Sequence, residues 1–469
     1  MASRRRQARR KEPERAAAIS PDRESSAARS AESSSLSEPS PPFYNTTFST
    51  HRVSPLYLGK EPLTDRRLET LAQRLRETLV GDVVRGVEVG MGGGEDAVMG
   101  RAGALEAVEV RWVRMTSILD IRSGRAGRPE SRDLGSDAVE ANTSSEWQRT
   151  VARLRRRNAL HISLRYESAL CTGVLLPSLS GDEDNGDLAD AQNARLSMAT
   201  SQDAQPPSIA AQRFLTMPLL LLRMTAPLKN VIIDFLSTAF DCRISPLRLG
   251  TRSMVHSWES WVGSAGLPSR GPHTKDVVLS LGFHLTRLNG LTTADGSDAA
   301  ADTGLKSIDV IIPAGELGKF VEAGTELARS SRSLPVQTKR KAAAEWEEDS
   351  KKRRNLAGRL REEGWEWQKS VAAVSSDEPD SDAFNQPFVD AVGHYVDKHL
   401  GLNLFHPGVR IIKIACGGFV MSEGRLKIFA PADLGDVDAG DDYTTPGHRG
   451  AISELLRNLV DRASIRGIK

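Results

Sequence analysis

Gly90-Met91-Gly92-Gly93-Gly94 is the stretch closest to a cofactor motif. A dinucleotide loop needs Gly-x-Gly-x-x-Gly opening directly into a helix, so that backbone N–H groups meet the pyrophosphate. Glu95 stands where the third glycine belongs, and no Walker lysine follows. The stretch reads as a flexible hairpin loop. His394, His399 and His406 are the next candidates. Zinc on one helix face wants histidines four residues apart, and the first gap here is five, which turns the rings away from each other. Surface or capping histidines are the better reading. Cys416, in Ala-Cys-Gly-Gly, resembles a nucleophile on a turn but has no identifiable base or acid beside it. It reads as a buried structural thiol. Glu347 and Glu348 are paired carboxylates in a stretch too polar to hold them in place for acid–base work. No catalytic, cofactor-binding or metal-ligating set emerges, and the expectation is a protein that is not an enzyme and needs no cofactor.

Two arrangements of basic residues remain. Lys339, Arg340 and Lys341, then nine residues, then Lys351, Lys352, Arg353 and Arg354 have the spacing of a bipartite nuclear import signal. Arg153, Arg155, Arg156 and Arg157 precede a strand. They either contact DNA phosphates or line a solvated loop, and the residues leave both readings open. No aromatic residues interleave them, so any DNA contact would be to the backbone and independent of sequence.

Composition bounds the class. Formal charge is +2, from 63 basic and 61 acidic residues, so any basic surface is local. Hydrophobic residues make 39% and aromatics 5%, near the low end for a wholly globular chain. Cys171, Cys242 and Cys416 are sparse and far apart, unlike a secreted disulfide framework or a zinc knuckle. The longest apolar run, near residues 214–224, is too short to span a bilayer, and no membrane role is expected. The arginine-rich start has no apolar core, and Glu12, Glu14 and Asp22 interrupt it, so it reads as a solvated tail rather than a leader.

The elements follow from pattern. Residues 1–42 form a basic, Ser-rich tail without the apolar content to offset ordering entropy. Stretches near 121–146, 179–212, 290–304 and 325–383 read the same way. A strand is expected over 43–57, and Leu68, Leu71, Leu75 and Leu79 mark a helix closed by Gly81. Further strands are expected near 83–89, 107–116, 160–166, 172–176, 276–285 and 307–312. Helices are expected from Pro227, over 246–261, over 388–400 and around Ile452–Leu459. Strands and helices alternate without a βαβ rhythm. The expected fold class is α+β with a largely antiparallel sheet, divided as 1–42 tail, 43–324 main region, 325–383 charged insertion and 384–469 helix–hairpin–helix.

The hairpin, 409–420 with 425–429, is the candidate partner surface. Ile412 and Ile414 fall on one side of its first strand, Ile411 and Val409 on the other, so both faces are apolar. Leu426 and Ile428 are read on an edge strand open to another sheet. A helix over 448–461 covering the second face is the alternative.

The segments 43–57, 63–90 with Leu79-Val80-Gly81-Asp82, 160–177, 231–244 with Phe240-Asp241-Cys242, 276–283 and 409–429 with Cys416-Gly417-Gly418-Phe419 resemble the fungal centromere protein L family. The resemblance covers most of the ordered sequence but not the insertions at 179–212 and 325–383. It implies a saddle-like sheet and a structural subunit of the inner kinetochore in the nucleus. The implied partners are a centromere protein N-like subunit, in a heterodimer, and other inner-kinetochore subunits, with centromeric nucleosome DNA as a further contact. The alternative is a nuclear DNA-binding or recombination-associated protein outside the kinetochore.

Overall fold

A computed structural model describes residues 41–84, 103–121, 138–179, 213–267, 274–283, 306–333, 365, 386–406, 408–431 and 445–464. Its framework is one antiparallel sheet of 11 strands. In chain order the elements begin with β1 (Thr47–Val53), β2 (Leu56–Tyr57), α1 (Asp65–Val84), β3 (Leu105–Arg114), α2 (Met115–Ile118) and α3 (Ala138–Arg156). There follow β4 (Asn158–Tyr166), β5 (Leu170–Leu176), β6 (Phe214–Leu215), β7 (Leu219–Arg223), α4 (Ala226–Phe240), β8 (Ile244–Pro246) and α5 (Thr251–Ala265). The rest are β9 (Val277–Phe283), β10 (Ser307–Ile312), α6 (Leu317–Ser333), α7 (Pro387–Leu400), β11 (Val409–Ala415), β12 (Phe419–Ser422), β13 (Arg425–Ile428) and α8 (Thr445–Ala463). The sheet runs β10-β9-β11-β12-β13-β1-β7-β5-β4-β3, with β8 also on β1, while β2 and β6 make a separate ribbon.

Two cores explain the order. On one face, Trp258 of α5, Phe388 and Val392 of α7, and Leu455 and Leu456 of α8 pack on Leu279, Ile411, Phe419, Leu426, Leu221 and Val174. On the other face, Leu68 and Leu75 of α1 and Leu228 and Ile232 of α4 pack on Leu160, Ile162, Leu175, Leu220 and Leu222. Strand β7 lies where both cores overlap: Leu219 and Leu221 enter the first and Leu220 and Leu222 the second. A strand covered on both faces needs an unbroken apolar run, and Leu219-Leu220-Leu221-Leu222 supplies it.

Several sequence expectations change. Gly81 lies inside α1, without the positive φ of a C-cap, and the helix continues through Val83 and Val84, where a strand was expected. Residues 85–89 and the glycine loop after them lie outside the described residues. The low-apolar stretch 121–146 contains the first turns of α3, which is carried by packing with α8 and α2 rather than by its own composition. The insertion read as unstructured from 325 is helical to Ser333, and Trp365 within it is 2% exposed, edge-on to Phe405 at 4.8 Å. The C-terminal hairpin is a three-stranded meander, since Gly417-Gly418 break the run after Ala415. Leu426 and Ile428 are not on an edge: β13 pairs with β12 on one side and with β1 on the other. The β1 pairing spans nearly the whole chain and leaves no local trace.

Candidate protein-interaction surface

The helices α1 and α4 stop short of covering their face of the sheet. None of the buried residues of that second core comes from β9, β10, β11, β12 or β13. Cross-strand register shows what the uncovered half presents, because residues directly opposite share a face. One row runs Ile311, Val278, Ala415, Val420, Lys427, Thr47. The next runs Asp309, Ser280, Lys413, Ser422, Arg425, Ser49. A band that is apolar from Ile311 to Val420 therefore lies beside a polar one, in which Lys413 and Arg425 are basic and Asp309 is acidic.

A bulge shapes this face. The β11 to β9 register shifts between Ile411 and Lys413, which leaves Ile412 as the extra residue. Its side chain lies across Gly282, where a Cβ would come within 2.8 Å of the Ile412 Cγ2. Glycine at 282 is thus required by Ile412. A cavity of about 440 Å³ opens here, lined by Gly282, Phe283, Lys306, Ile412, Ser422 and Glu423. At the far corner the ammonium groups of Lys275 and Lys427 stand 5.1 and 5.2 Å from the Phe429 ring centre.

The five residues proposed for the partner surface divide on this geometry. Ile411, Ile414, Leu426 and Ile428 are 1%, 0%, 1% and 2% exposed and face α5, α7 and α8 in the first core. Ile412 alone among them lies on the open face. The residues missed were Ile311, Val278, Ala415 and Val420. Ile311, 61% exposed, carried a signal, since Val310-Ile311-Ile312 breaks the alternation that ends β10. The other three become a row only through strand order.

Arg153, Arg155 and Arg156 occupy the last turn of α3, not a loop, and Arg157 follows it. Cations there complement the partial negative charge of a helix C-terminus, which gives them a structural role whatever they bind. The import clusters Lys339–Lys341 and Lys351–Arg354 lie outside the described residues.

The residues suspected of chemistry are scattered. His394 and His399 sit exposed on α7, and the His406 Nδ1 accepts the Gly408 N–H at 3.0 Å. Among the described residues no group of His, Cys, Asp and Glu is placed to hold a metal, and no helix is long and apolar enough to cross a membrane. Burial pushes the Cys416 thiol up to about 11, against the Phe419 and Gly418 N–H groups that favour its thiolate. At that value it is a poor nucleophile.

The family model described as Centromere protein L matches residues 42–464. No curated protein matches the chain closely enough to count as a relative.

Proposed function

Because this chain belongs to the centromere protein L family, whose members are structural kinetochore proteins of the nucleus, we propose that it is a non-catalytic scaffold of the inner kinetochore. In this reading it binds a centromere protein N subunit and other inner-kinetochore subunits, and helps link centromeric chromatin to the kinetochore. The observation that supports it is the open half of the sheet. Four strands' width of one face carries an apolar row, Ile311 to Val420, that this chain's described residues leave uncovered. A face of that kind calls for a partner surface rather than a substrate.

The same face adds a reason to consider DNA. Arg410, Lys413, Arg425 and Lys427 project from it against Asp309 and Glu423. With Arg153, Arg155, Arg156 and Arg157 they would give sequence-independent phosphate contacts. A nuclear DNA-binding role outside the kinetochore is the competing reading that such charge favours.

Two measurements decide. The tagged full chain is followed through mitosis, and the proteins purified with it are identified. Discrete centromeric foci together with recovery of a centromere protein N subunit are expected. Diffuse chromatin staining without that subunit would replace the scaffold reading by the DNA-binding one. Import through the two basic clusters is part of the proposal: replacing Lys351, Lys352, Arg353 and Arg354 by alanine should leave the protein partly cytoplasmic when the partner is absent.

A further inference from the structure

The two ends of the sheet are treated differently. At one end β3 exposes Glu106, Glu109 and Arg114, and its apolar side is closed by α1, with the Trp112 Nε1 donating to the Leu63 carbonyl at 3.2 Å. Charges along an edge strand discourage pairing with another chain. At the other end β10 has one charged residue, Asp309, and exposes Ile311. Among the described residues no strand pairs with its free side.

Backbone directions on β10 follow from one hydrogen bond. Opposed residues in an antiparallel pair alternate between exchanging both backbone bonds and exchanging none. The Phe283 N–H donates to the Lys306 carbonyl at 3.0 Å, and Lys306 lies opposite Phe283 by extension of the Ser307 to Gly282 register. Lys306, Ile308, Val310 and Ile312 therefore bond to β9. Ser307, Asp309 and Ile311 turn their N–H and C=O groups to the free edge. The side chains of those three residues also lie on the open face. On the opposite face Ile308 and Val310 are only half-buried, although the neighbours they meet on β9, Leu281 and Leu279, are 1% and 0% exposed. Both apolar sides of the sheet thus stop one strand short of cover.

We propose that a partner protein completes the sheet by adding an extended strand to the free edge of β10, with an apolar residue across from Ile311 and a lysine or arginine across from Asp309. This rests on the reading that this end of the sheet is the partner surface. Backbone bonds to Ser307, Asp309 and Ile311 supply affinity, and the two side-chain positions supply choice. A second copy of this chain fits poorly. Two β10 strands related by a two-fold axis put Asp309 opposite Asp309, or opposite Ile311, or opposite Ser307, and in none does the carboxylate meet a cation. The occupant is therefore a different chain.

The test uses the full chain with the centromere protein N subunit. Asp309→Pro and Ile311→Pro each remove an outward N–H while sparing the bonds to β9. Val420→Asp alters the open face two strands beyond β9, away from the edge. The proline variants should keep the wild-type circular dichroism and bind at least tenfold more weakly, and Asp309→Lys should also weaken binding. Wild-type affinity in both proline variants, with loss in Val420→Asp, overturns strand addition and leaves the partner reading standing. Wild-type affinity in every variant overturns both. A wild-type homodimer that the prolines dissolve overturns the choice of a different chain. Should the proline variants misfold, hydrogen exchange on the wild type decides: the Asp309 and Ile311 amides must slow on binding, and unchanged exchange overturns the proposal.

Discussion

Glu259 on α5 accepts the backbone N–H of Val389, in the first turn of α7, at 3.0 Å. The Phe388 N–H adds a second bond to the same carboxyl. A helix leaves its first N–H groups without partners, and a side chain usually caps them from within the same segment. Here the cap comes from a helix 130 residues earlier, because Gln386 at the N-cap position makes no cap bond and turns instead to the Asp390 carboxylate at 2.8 Å. One carboxyl thus joins the two helices that floor the first core beneath β9 and β11.

The cap has a pH signature. Burial pushes the Glu259 carboxyl up to about 8, the two N–H donors oppose this, and the Asp390 charge adds to it. A folded pKa above the unfolded one means that folding takes up a proton between about 4.5 and 8, so this group lowers stability as pH rises through that window. Burial moves His51 and His161 the other way, down to about 4. They stay neutral in the fold while the unfolded chain protonates, so their stabilisation is lost as pH falls below about 6.5. The two effects separate between about pH 6.5 and 8. There Glu259→Gln should flatten the fall in unfolding free energy read by urea titration at each pH, by at most about 1.4 kcal/mol per pH unit. A variant and wild type that fall in parallel would show that Glu259 is not the group responsible.

Helix glycines make opposite predictions at two sites. In α6, a Cβ on Gly324 would run into the backbone carbonyl of Pro387 at the start of α7. Backbone cannot yield like a side-chain tip, so Gly324→Ala should cost about 1 to 3 kcal/mol by forcing the helices apart. In α5, Gly263 has nothing within 4 Å of that position. Gly263→Ala should stabilise by roughly 0.5 to 1 kcal/mol, the helix-propensity difference alone. Urea unfolding midpoints compare the two, and equal shifts would mean that α6 and α7 do not touch as described.

Much of this architecture was legible locally. Leu68, Leu71, Leu75 and Leu79 on α1, the alternation of 160–166 and the Gly401 stop of α7, with φ 62, are short-range signals. What stayed hidden was pairing between distant segments. Leu426 and Ile428 look like an edge because β13 ends its meander, and only the return of β1, with Phe48 opposite Leu426, buries them. The open face was hidden for the same reason. Val278, Ala415 and Val420 are ordinary strand residues until strand order aligns them. Helices α3 and α6 escaped because composition reports the ordering cost of a segment and not the neighbours that offset it.

Arg153, Arg155 and Arg156 give a test that separates structure from binding. Changing all three to glutamate puts like charge at the end of α3, at a cost of about 0.3 to 1 kcal/mol each for exposed sites, so the fold should survive. If they contact phosphates, duplex DNA binding by the partner-bound complex should weaken. The slope of log affinity against log salt should shrink by about 0.9 for each phosphate that is no longer neutralised. Fluorescence anisotropy over a salt series reads both. Unchanged affinity and slope would confine the three arginines to the helix end.

Leu426→Asp, Ile428→Asp and Ile412→Asp sit within one meander yet should fail in different ways. Leu426 and Ile428 lie on the core face, where Leu426 meets Phe48 across the strands and Ile428 meets Phe419. A carboxylate there has no partner and no water, and burying a charge unpaired costs more than a domain of marginal stability can bear. Both variants should lose cooperative unfolding and be recovered as aggregate, so loss of a partner in them says nothing about an interface. Ile412 lies on the other face, over Gly282 and beside the open cavity, and is already half-exposed. Its aspartate has water to solvate it, so Ile412→Asp should remain soluble with a melting temperature within a few degrees of wild type. If the open face is the partner surface, that folded variant should lose the centromere protein N subunit on size exclusion after co-expression. A stable, cooperative Leu426→Asp would show instead that β13 is free of β1. An unfolded Ile412→Asp would place its side chain in a core that the register of β9 and β11 does not provide.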